Sequence, residues 1–373
     1  MRIALIVERF APSPGGVEQV VWTVAHGLRD AGCRVRVLAR LGEPVPGIEL
    51  ERVDAPRFWQ PARVALFTRG VARRVARLRA RDEVDVVHSF CRTLSQDVFH
   101  AGGGCHAESM RSTYGPRGAR WRRVSPRHAL QLELDRRIFA DPAQIVQCPS
   151  AMVAREIRDR FGVAASRLAV VRNGVHVGRF ARTSETAAAA LRREILGDAT
   201  DAAVWLLAGS GWRRKGLDTA LAAIAGARDR RARLWVAGAD RTAPWRARAE
   251  QLGIGDRVVF LGARADMERV YAAADGLLLP TRYDAFGLVC LEAAAAGRPV
   301  VTSTRAGAAE VLEGCGEVVD DPEDASAFAL ALDRLADPEE RRTCGEAGRK
   351  AAAGLDWPLQ IEALQRLYAG IAS

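Results

Sequence analysis

Asp284 and Glu292 stand eight positions apart in the stretch Thr281 to Val301, TRYDAFGLVCLEAAAAGRPVV. That spacing is roughly two helical turns, so a helix beginning near Phe286 carries Glu292 inward on its second turn while Asp284 sits on the loop ahead of it. Both acids then face the helix N-terminus, where the backbone N–H groups of Phe286, Gly287 and Leu288 lack intrahelical acceptors and can hold phosphate. Gly287 also lets a ligand approach the backbone closely. The chemistry predicted is a phosphate clamp flanked by two carboxylates that bind sugar hydroxyls. The competing reading makes Asp284 a turn residue, Glu292 a solvated helix acid and the alanine run a packed helix face.

A second chemical signal comes from the basic residues. Of 55 Lys and Arg, only Lys215 and Lys350 are lysines. Where arginine fills nearly every basic position, a lysine inside a motif marks a place that wants a compact ammonium. Lys215, in GSGWRRKG, is such a place; Lys350 lies on a polar helix near the end of the chain. The formal net charge of +10 points to an anionic partner, whether a membrane surface, a nucleic acid or a phosphorylated substrate.

These residues must be positioned by a recurring strand, glycine turn and helix. Ile3 to Val7 reads as a buried strand, and Gly15-Gly16 opens a helix whose apolar positions Val17, Val20, Val21, Val24 and Leu28 follow helical spacing. Arg34 to Leu38 and Val84 to His88 read as further strands, and such alternation implies a parallel sheet. The pattern restarts with a strand at Ala203 to Leu207, a turn at Gly209-Ser210-Gly211 and a helix from about Leu217 to Ala227 after Lys215-Gly216. Leu234 to Ala237, Val258 to Leu261 and Gly276 to Leu279 supply more strands. Two doubly wound units in tandem predict a ligand cleft between them. The turn signal Asn173-Gly174 places the boundary near Val170 to Phe180. The domains expected are 1–172, joined by a C-terminal helix over 357–373, and 173–356.

With 373 residues, two domains are the default, and 49% hydrophobic with 27% charged residues is ordinary for a folded soluble protein. The N-terminal apolar run in MRIALIVERF is five residues long, too short for a signal peptide or a membrane span, so a cytoplasmic location is expected. The seven cysteines show no CxxC pair and read as reduced thiols, neither a disulfide frame nor a zinc site.

Four segments, GSGWRRKG, TRYDAFGLVCLEAAAAGRPVV, VVRNGVHVGRF and the N-terminal PGGVE, together resemble the retaining glycosyltransferases of family 4, which have the GT-B fold. The resemblance spans essentially the whole chain and is strongest from Ala203 to Glu310. It implies an α/β architecture of two Rossmann-like domains, with the nucleotide-sugar held mainly by the second, the acceptor mainly by the first, and the last helix crossing back to the first. It implies no metal and no cofactor, because cationic side chains and the helix N-terminus serve the diphosphate; the nucleoside diphosphate sugar is a substrate. Carried over by position, Lys215 contacts the diphosphate and stabilises the departing nucleotide, Glu292 accepts from the ribose hydroxyls, and Asp284 meets the transferred sugar. Gly15 and Gly16 match the first-domain glycine loop beside the donor phosphates.

Two departures bear on that transfer. Asp284 is one methylene shorter than the glutamate usual in the family, and Gly209 stands where an arginine often lies. Arg213 or Arg214 then supplies the second cation, since an arginine fork suits phosphate oxygens. The segment HAGGGCHAESM, His100 to Met110, resembles enzymes that attach a hexose to heptose in the lipopolysaccharide inner core, a subgroup in which an Asp often stands where this chain has Gly103. His106 is the titratable group nearest that gap and is the candidate to orient an acceptor hydroxyl or take its proton.

From Arg111 to Arg137 eight arginines stand against Glu133 and Asp135, with Trp121 among them. Arg117, Arg120, Trp121, Arg122 and Arg123 read either as a face for an anionic inner-membrane surface and a lipid-linked acceptor or as a solvated, flexible loop. The function expected is transfer of a hexose from a nucleoside diphosphate sugar, such as UDP-glucose or a relative, to a glycolipid acceptor such as the lipopolysaccharide core, with retention. The alternatives are a GT-B UDP-sugar epimerase and a nucleic-acid-binding basic protein. Against the last, no helix-turn-helix, zinc finger or RNP-like run is visible.

Overall fold

A computed structural model describes residues 1–12, 16–56, 58–197 and 201–372. The chain divides into two compact units, Met1–Asn173 with Trp357–Ser373, and Gly174–Asp356. In the first, seven parallel strands, β1 (Arg2–Phe10), β2 (Arg34–Gly42), β3 (Ile48–Arg52), β4 (Val86–Ser89), β5 (Val98–His100), β6 (Ile145–Cys148) and β7 (Leu168–Val170), stand in the order β3-β2-β1-β4-β5-β6-β7. In the second, β8 (Val204–Ala208), β9 (Arg233–Ala237), β10 (Val258–Gly262), β11 (Gly276–Leu279), β12 (Val300–Ser303) and β13 (Gly316–Val319) form the order β10-β9-β8-β11-β12-β13, again all parallel.

The strands are apolar on both faces because helices cover both sides of a parallel sheet. Residues Ile3 to Val7 are at most 3% exposed. The sequence reading stopped β1 and β2 at the end of their apolar cores, yet pairing continues through Arg9 with Leu41 and Phe10 with Gly42; the backbone ladder outlasts the hydrophobic signal. The second unit is anchored by Trp205, Trp212 and Trp235, all 2% exposed or less. Burying each indole contributes about 4–6 kcal/mol as an upper estimate.

Strand order decides where ligands bind. In each unit the winding reverses between two neighbouring strands, β1 and β4 in the first, β8 and β11 in the second, and the loops leaving their carboxyl ends diverge to open a crevice. GSGWRRKG follows β8 and the Asp284 segment follows β11, so the sheet brings together two motifs separated by some seventy residues. Gly216 makes the join possible: its φ is +79°, and a Cβ there would stand 1.8 Å from the Pro280 carbonyl oxygen.

The final helix, Trp357–Ala372, packs into the first unit. Tyr368 donates or accepts across 2.6 Å to His88 Nδ1, and Ile361 presses so close to Gly27 that a Cβ there would meet its Cγ1 at 2.6 Å.

Candidate active site

The loop after β8 turns through Gly209 and Gly211, both at positive φ, and Gly211 N–H donates to Asp240 Oδ2 over 2.8 Å. The turn closes with Lys215 N–H donating to the Gly211 carbonyl at 3.0 Å. Lys215, 5% exposed, then sends its ammonium to Asp284 Oδ2 at 2.6 Å. A Cβ at Gly209 would lie 3.4 Å from Lys215 Cε and 3.9 Å from Val289, so the lysine stem runs through the space beside Gly209. The second cation is Arg214, whose Nη1 donates to the Tyr283 carbonyl at 2.7 Å and reaches Asp284 Oδ2 at 3.3 Å. Arg213 is exposed, and its carbonyl accepts from Arg282.

Asp284 is held from both sides. Its N–H donates to the Arg305 carbonyl and its own carbonyl accepts from Gly307 N–H, fixing it as an isolated bridge beside β12. Burial pushes its carboxyl up, but Lys215 and Arg214 outweigh that and hold it at about 2. The sequence reading gave Lys215 and Asp284 separate ends of a donor; in the structure they are partners.

The helix begins at Leu288, two residues beyond the expected start. Gly287 has φ +91°, which no right-handed helix accepts, and Phe286 is only 2% exposed, anchored in the core. The first-turn donors are therefore those of Leu288 and Val289, and Glu292 lies one turn in. A Cβ at Gly287 would be 3.8 Å from Asp284 Cγ, so the carboxylate sits against the helix N-terminus.

Glu292 Oε2 accepts from the Tyr271 hydroxyl at 2.7 Å. Burial raises the carboxyl, with Tyr271 and the nearby cations opposing. Tyr271 is 1% exposed and edge-on to Phe180 at 5.6 Å, on the short helix Val177–Ala181 from VVRNGVHVGRF. Neither aromatic was singled out by sequence, where a tyrosine in an alanine-rich helix reads as core.

In the first unit Gly16 starts the helix Gly16–Asp30 at φ +80°; Gly15 lies outside the described residues. His106 Nε2 is 3.0 Å from His128 Nδ1 with the rings stacked. Burial, with Arg92, His128 and Arg127 adding repulsion, pushes His106 down to about 3, so the pair is neutral near pH 7. The His106 backbone N–H donates to Asp135 Oδ2 at 3.2 Å, and Asp135, fully buried, is bonded by Arg92 at 2.6 Å. His128 attracted no functional reading from sequence, yet it occupies the His106 imidazole.

The basic segment is helical, correcting the flexible-loop alternative. His106–Arg122 is broken at Gly115 (φ 70°, ψ 170°) with Pro116 following, and Pro126–Ala140 continues the chain. Arg117, Arg120, Arg122 and Arg123 are exposed, Trp121 is 78% exposed, and Arg122 lies 3.8 Å over the Tyr114 ring. Among the described residues no helix is long and apolar enough to cross a membrane, and no group of three or more His, Cys, Asp or Glu could hold a metal ion.

Two doubly wound parallel-sheet units, the second carrying both motifs at its own switch point, are the architecture of the GT-B glycosyltransferases. Residues 14–179 match the family model described as Glycosyltransferase Family 4, and residues 202–337 match Glycosyl transferases group 1. The chain belongs to the family 4 glycosyltransferases. It is 25% identical over 331 residues to the lipopolysaccharide glucosyltransferase WaaG of Escherichia coli (strain K12), covering 86% of each chain. It is 26% identical over 398 residues to the D-inositol 3-phosphate glycosyltransferase of Salinispora arenicola, covering 95% of this chain and 87% of that one. The crystal structure of WaaG superposes with a TM-score of 0.83 at 24% identity, over 99% of this chain and 100% of that one. Anabaena HepE, solved in complex with UDP-glucose, gives 0.74 at 19% identity, over 99% and 100%.

Proposed function

We propose that the enzyme transfers a hexose from a UDP-sugar, UDP-glucose or a close relative, to a hydroxyl of a glycolipid acceptor, with retention of configuration. The observation that carries this reading is the convergence of Lys215, Arg214 and Asp284 on the N-terminus of the helix Leu288–Ala295. With two cations against one carboxylate, the cluster keeps a net positive charge beside backbone donors, which suits a diphosphate. An arriving diphosphate replaces Asp284 as the acceptor for Lys215 and Arg214, which leaves the carboxylate available to a hydroxyl of the sugar. As the bond to the sugar breaks, charge grows on the departing phosphate, and Lys215 stabilises it there. Glu292, oriented by Tyr271, takes the ribose. The second unit holds the donor and the first the acceptor, and His106 near the Gly103 gap orients the acceptor hydroxyl. Arg117, Arg120, Trp121, Arg122 and Arg123 face the anionic inner leaflet, in keeping with a cytoplasmic, peripheral enzyme.

A thermal-shift screen of UDP-, GDP- and ADP-sugars tests the donor, because a ligand bound only by the folded state raises its melting temperature. UDP-glucose should raise it most; no shift with any nucleotide sugar would overturn the reading. Incubation with donor alone separates transfer from epimerisation by the products formed.

A further inference from the structure

The turn that carries Lys215 is held from both flanking loops. The loop leaving β9 lies directly against it: a Cβ at Gly238 would stand 2.7 Å from Trp212 Nε1 and 2.8 Å from the Gly209 carbonyl oxygen, so no side chain separates the two. Two residues on, the half-buried Asp240 carboxylate accepts from Gly211 N–H through Oδ2 at 2.8 Å and from Trp212 N–H through Oδ1 at 3.4 Å. Ala239 N–H donates back to Ser210 Oγ at 3.0 Å. The carbonyls of the same two residues that Asp240 grips then accept from Lys215 N–H and Leu217 N–H, each at 3.0 Å. Asp240 thus caps the turn from a neighbouring strand, as an N-cap side chain does from within its own segment, and its bonds are charge-assisted. On the other side, Arg282 N–H and Thr281 Oγ donate to the Arg214 carbonyl at 2.8 and 3.1 Å, and Arg282 Nη1 donates to the Arg213 carbonyl at 2.6 Å. Each residue from Gly211 to Arg214 is therefore fixed through a backbone group by the loop after β9 or the loop after β11.

We infer that Asp240 is a positioning residue for sugar transfer: it acts through the Gly211 and Trp212 peptides to hold the Lys215 ammonium where it meets Asp284 and, on the proposed donor reading, the diphosphate. A lysine is a point charge on a flexible four-carbon stem, and an ammonium stabilises a departing phosphate best when it is already in place as the charge develops. The sequence offers no fork of donors at Lys215 to restrict its approach, so the turn must supply the order. Asp240 supplies it without touching the donor, because both of its oxygens are committed to the turn. The inference rests on the donor reading for its effect on UDP, and on the turn geometry alone for its effect on Lys215.

The test is a double-variant cycle in denaturant unfolding of the whole protein with Asp240→Ala, Lys215→Ala and the two combined. Asp240→Ala should raise the unfolding constant on the order of tenfold in the wild type, and by about threefold or less in Lys215→Ala, where no ammonium is left to place. Asp240→Asn keeps one oxygen for the Gly211 N–H, so it should lose less, and it carries the same cycle if the alanine variant does not fold. Calorimetric titration with UDP is the second readout. Asp240→Ala should weaken UDP binding on the order of tenfold, Asp240→Asn should recover most of that loss, and neither should weaken it further once Lys215 is alanine. A cap that serves the fold alone would cost as much with Lys215 absent as with it present, or would leave UDP affinity unchanged; either result overturns the inference. If the wild type itself does not bind UDP, the donor reading fails instead, and the unfolding cycle still decides whether Asp240 acts through Lys215.

Discussion

Removing Lys215 should expose a stability role distinct from its chemical one. The carboxyl of Asp284 falls from 3.8 to about 2, which is worth about 2 kcal/mol at ~1.4 kcal/mol per pH unit. In Lys215→Ala that gain is lost and the burial penalty acts against Arg214 alone at 3.3 Å, so a cost of about 3 kcal/mol is expected. For a domain the size of Gly174–Asp356 this lowers Tm by roughly 6–12 °C. Asp284→Asn should cost a similar amount by stranding the ammonium. The double variant, with neither charge, should lie within about 1 kcal/mol of wild type, a coupling of about 5–6 kcal/mol against the two single losses. Because the folded pKa lies below the unfolded one, the wild-type advantage is fully present above about pH 4 and is lost as pH falls toward 2, so the gap to Lys215→Ala narrows on acidification. Denaturant unfolding at pH 7 and at about pH 2.5 measures both effects. Turnover separates the roles: the double variant should recover stability and remain as inactive as Lys215→Ala, since the diphosphate still lacks its ammonium. Additive stability losses, or recovered activity, would refute the ion pair as the resting state of a catalytic lysine.

Tyr271→Phe should weaken UDP binding by about 1 kcal/mol, roughly fivefold, and move the acidic limb of donor affinity to higher pH, because the lost hydrogen bond lets burial raise Glu292 further; calorimetric titration across pH reads both. Glu292→Gln should weaken UDP binding as well, and unchanged affinity would remove its ribose role. His106, at about 3 against an ordinary 6.5, resists protonation when folded, so it destabilises progressively as pH falls from 6.5 toward 3. His106→Gln should flatten that loss in a melting-temperature profile, and its turnover should fall less than that of Lys215→Ala. Replacing Arg117, Arg120 and Arg123 by alanine should lower partition onto anionic vesicles on the order of 100-fold, at about 1 kcal/mol per cation; binding unchanged in vesicle sedimentation would dismiss this face.

The repeated strand, glycine turn and helix was legible because parallel strands must be apolar on both faces and glycines must serve the turns between them. The four- and five-residue β3, β6, β12 and β13 leave too short an apolar run to be read by periodicity. Which elements carry Lys215, Asp284 and Glu292 was likewise readable, since each stands in a motif with a backbone constraint, Gly216 or Gly287, beside it. Their partners were not. Lys215 meets Asp284, and Tyr271 meets Glu292, through the register of strands that are neighbours in space and distant in sequence.

That register also changes what the short acid at 284 does. A glutamate there could extend past the lysine toward a sugar, whereas aspartate, pinned by its own backbone bridge and lying 2.6 Å from Lys215, is held by the ammonium until another anion takes its place. On the proposed donor reading, donor binding and release of Asp284 are one exchange: the diphosphate would gain Lys215 and Arg214, and the carboxylate would be free for the sugar only while a diphosphate is present.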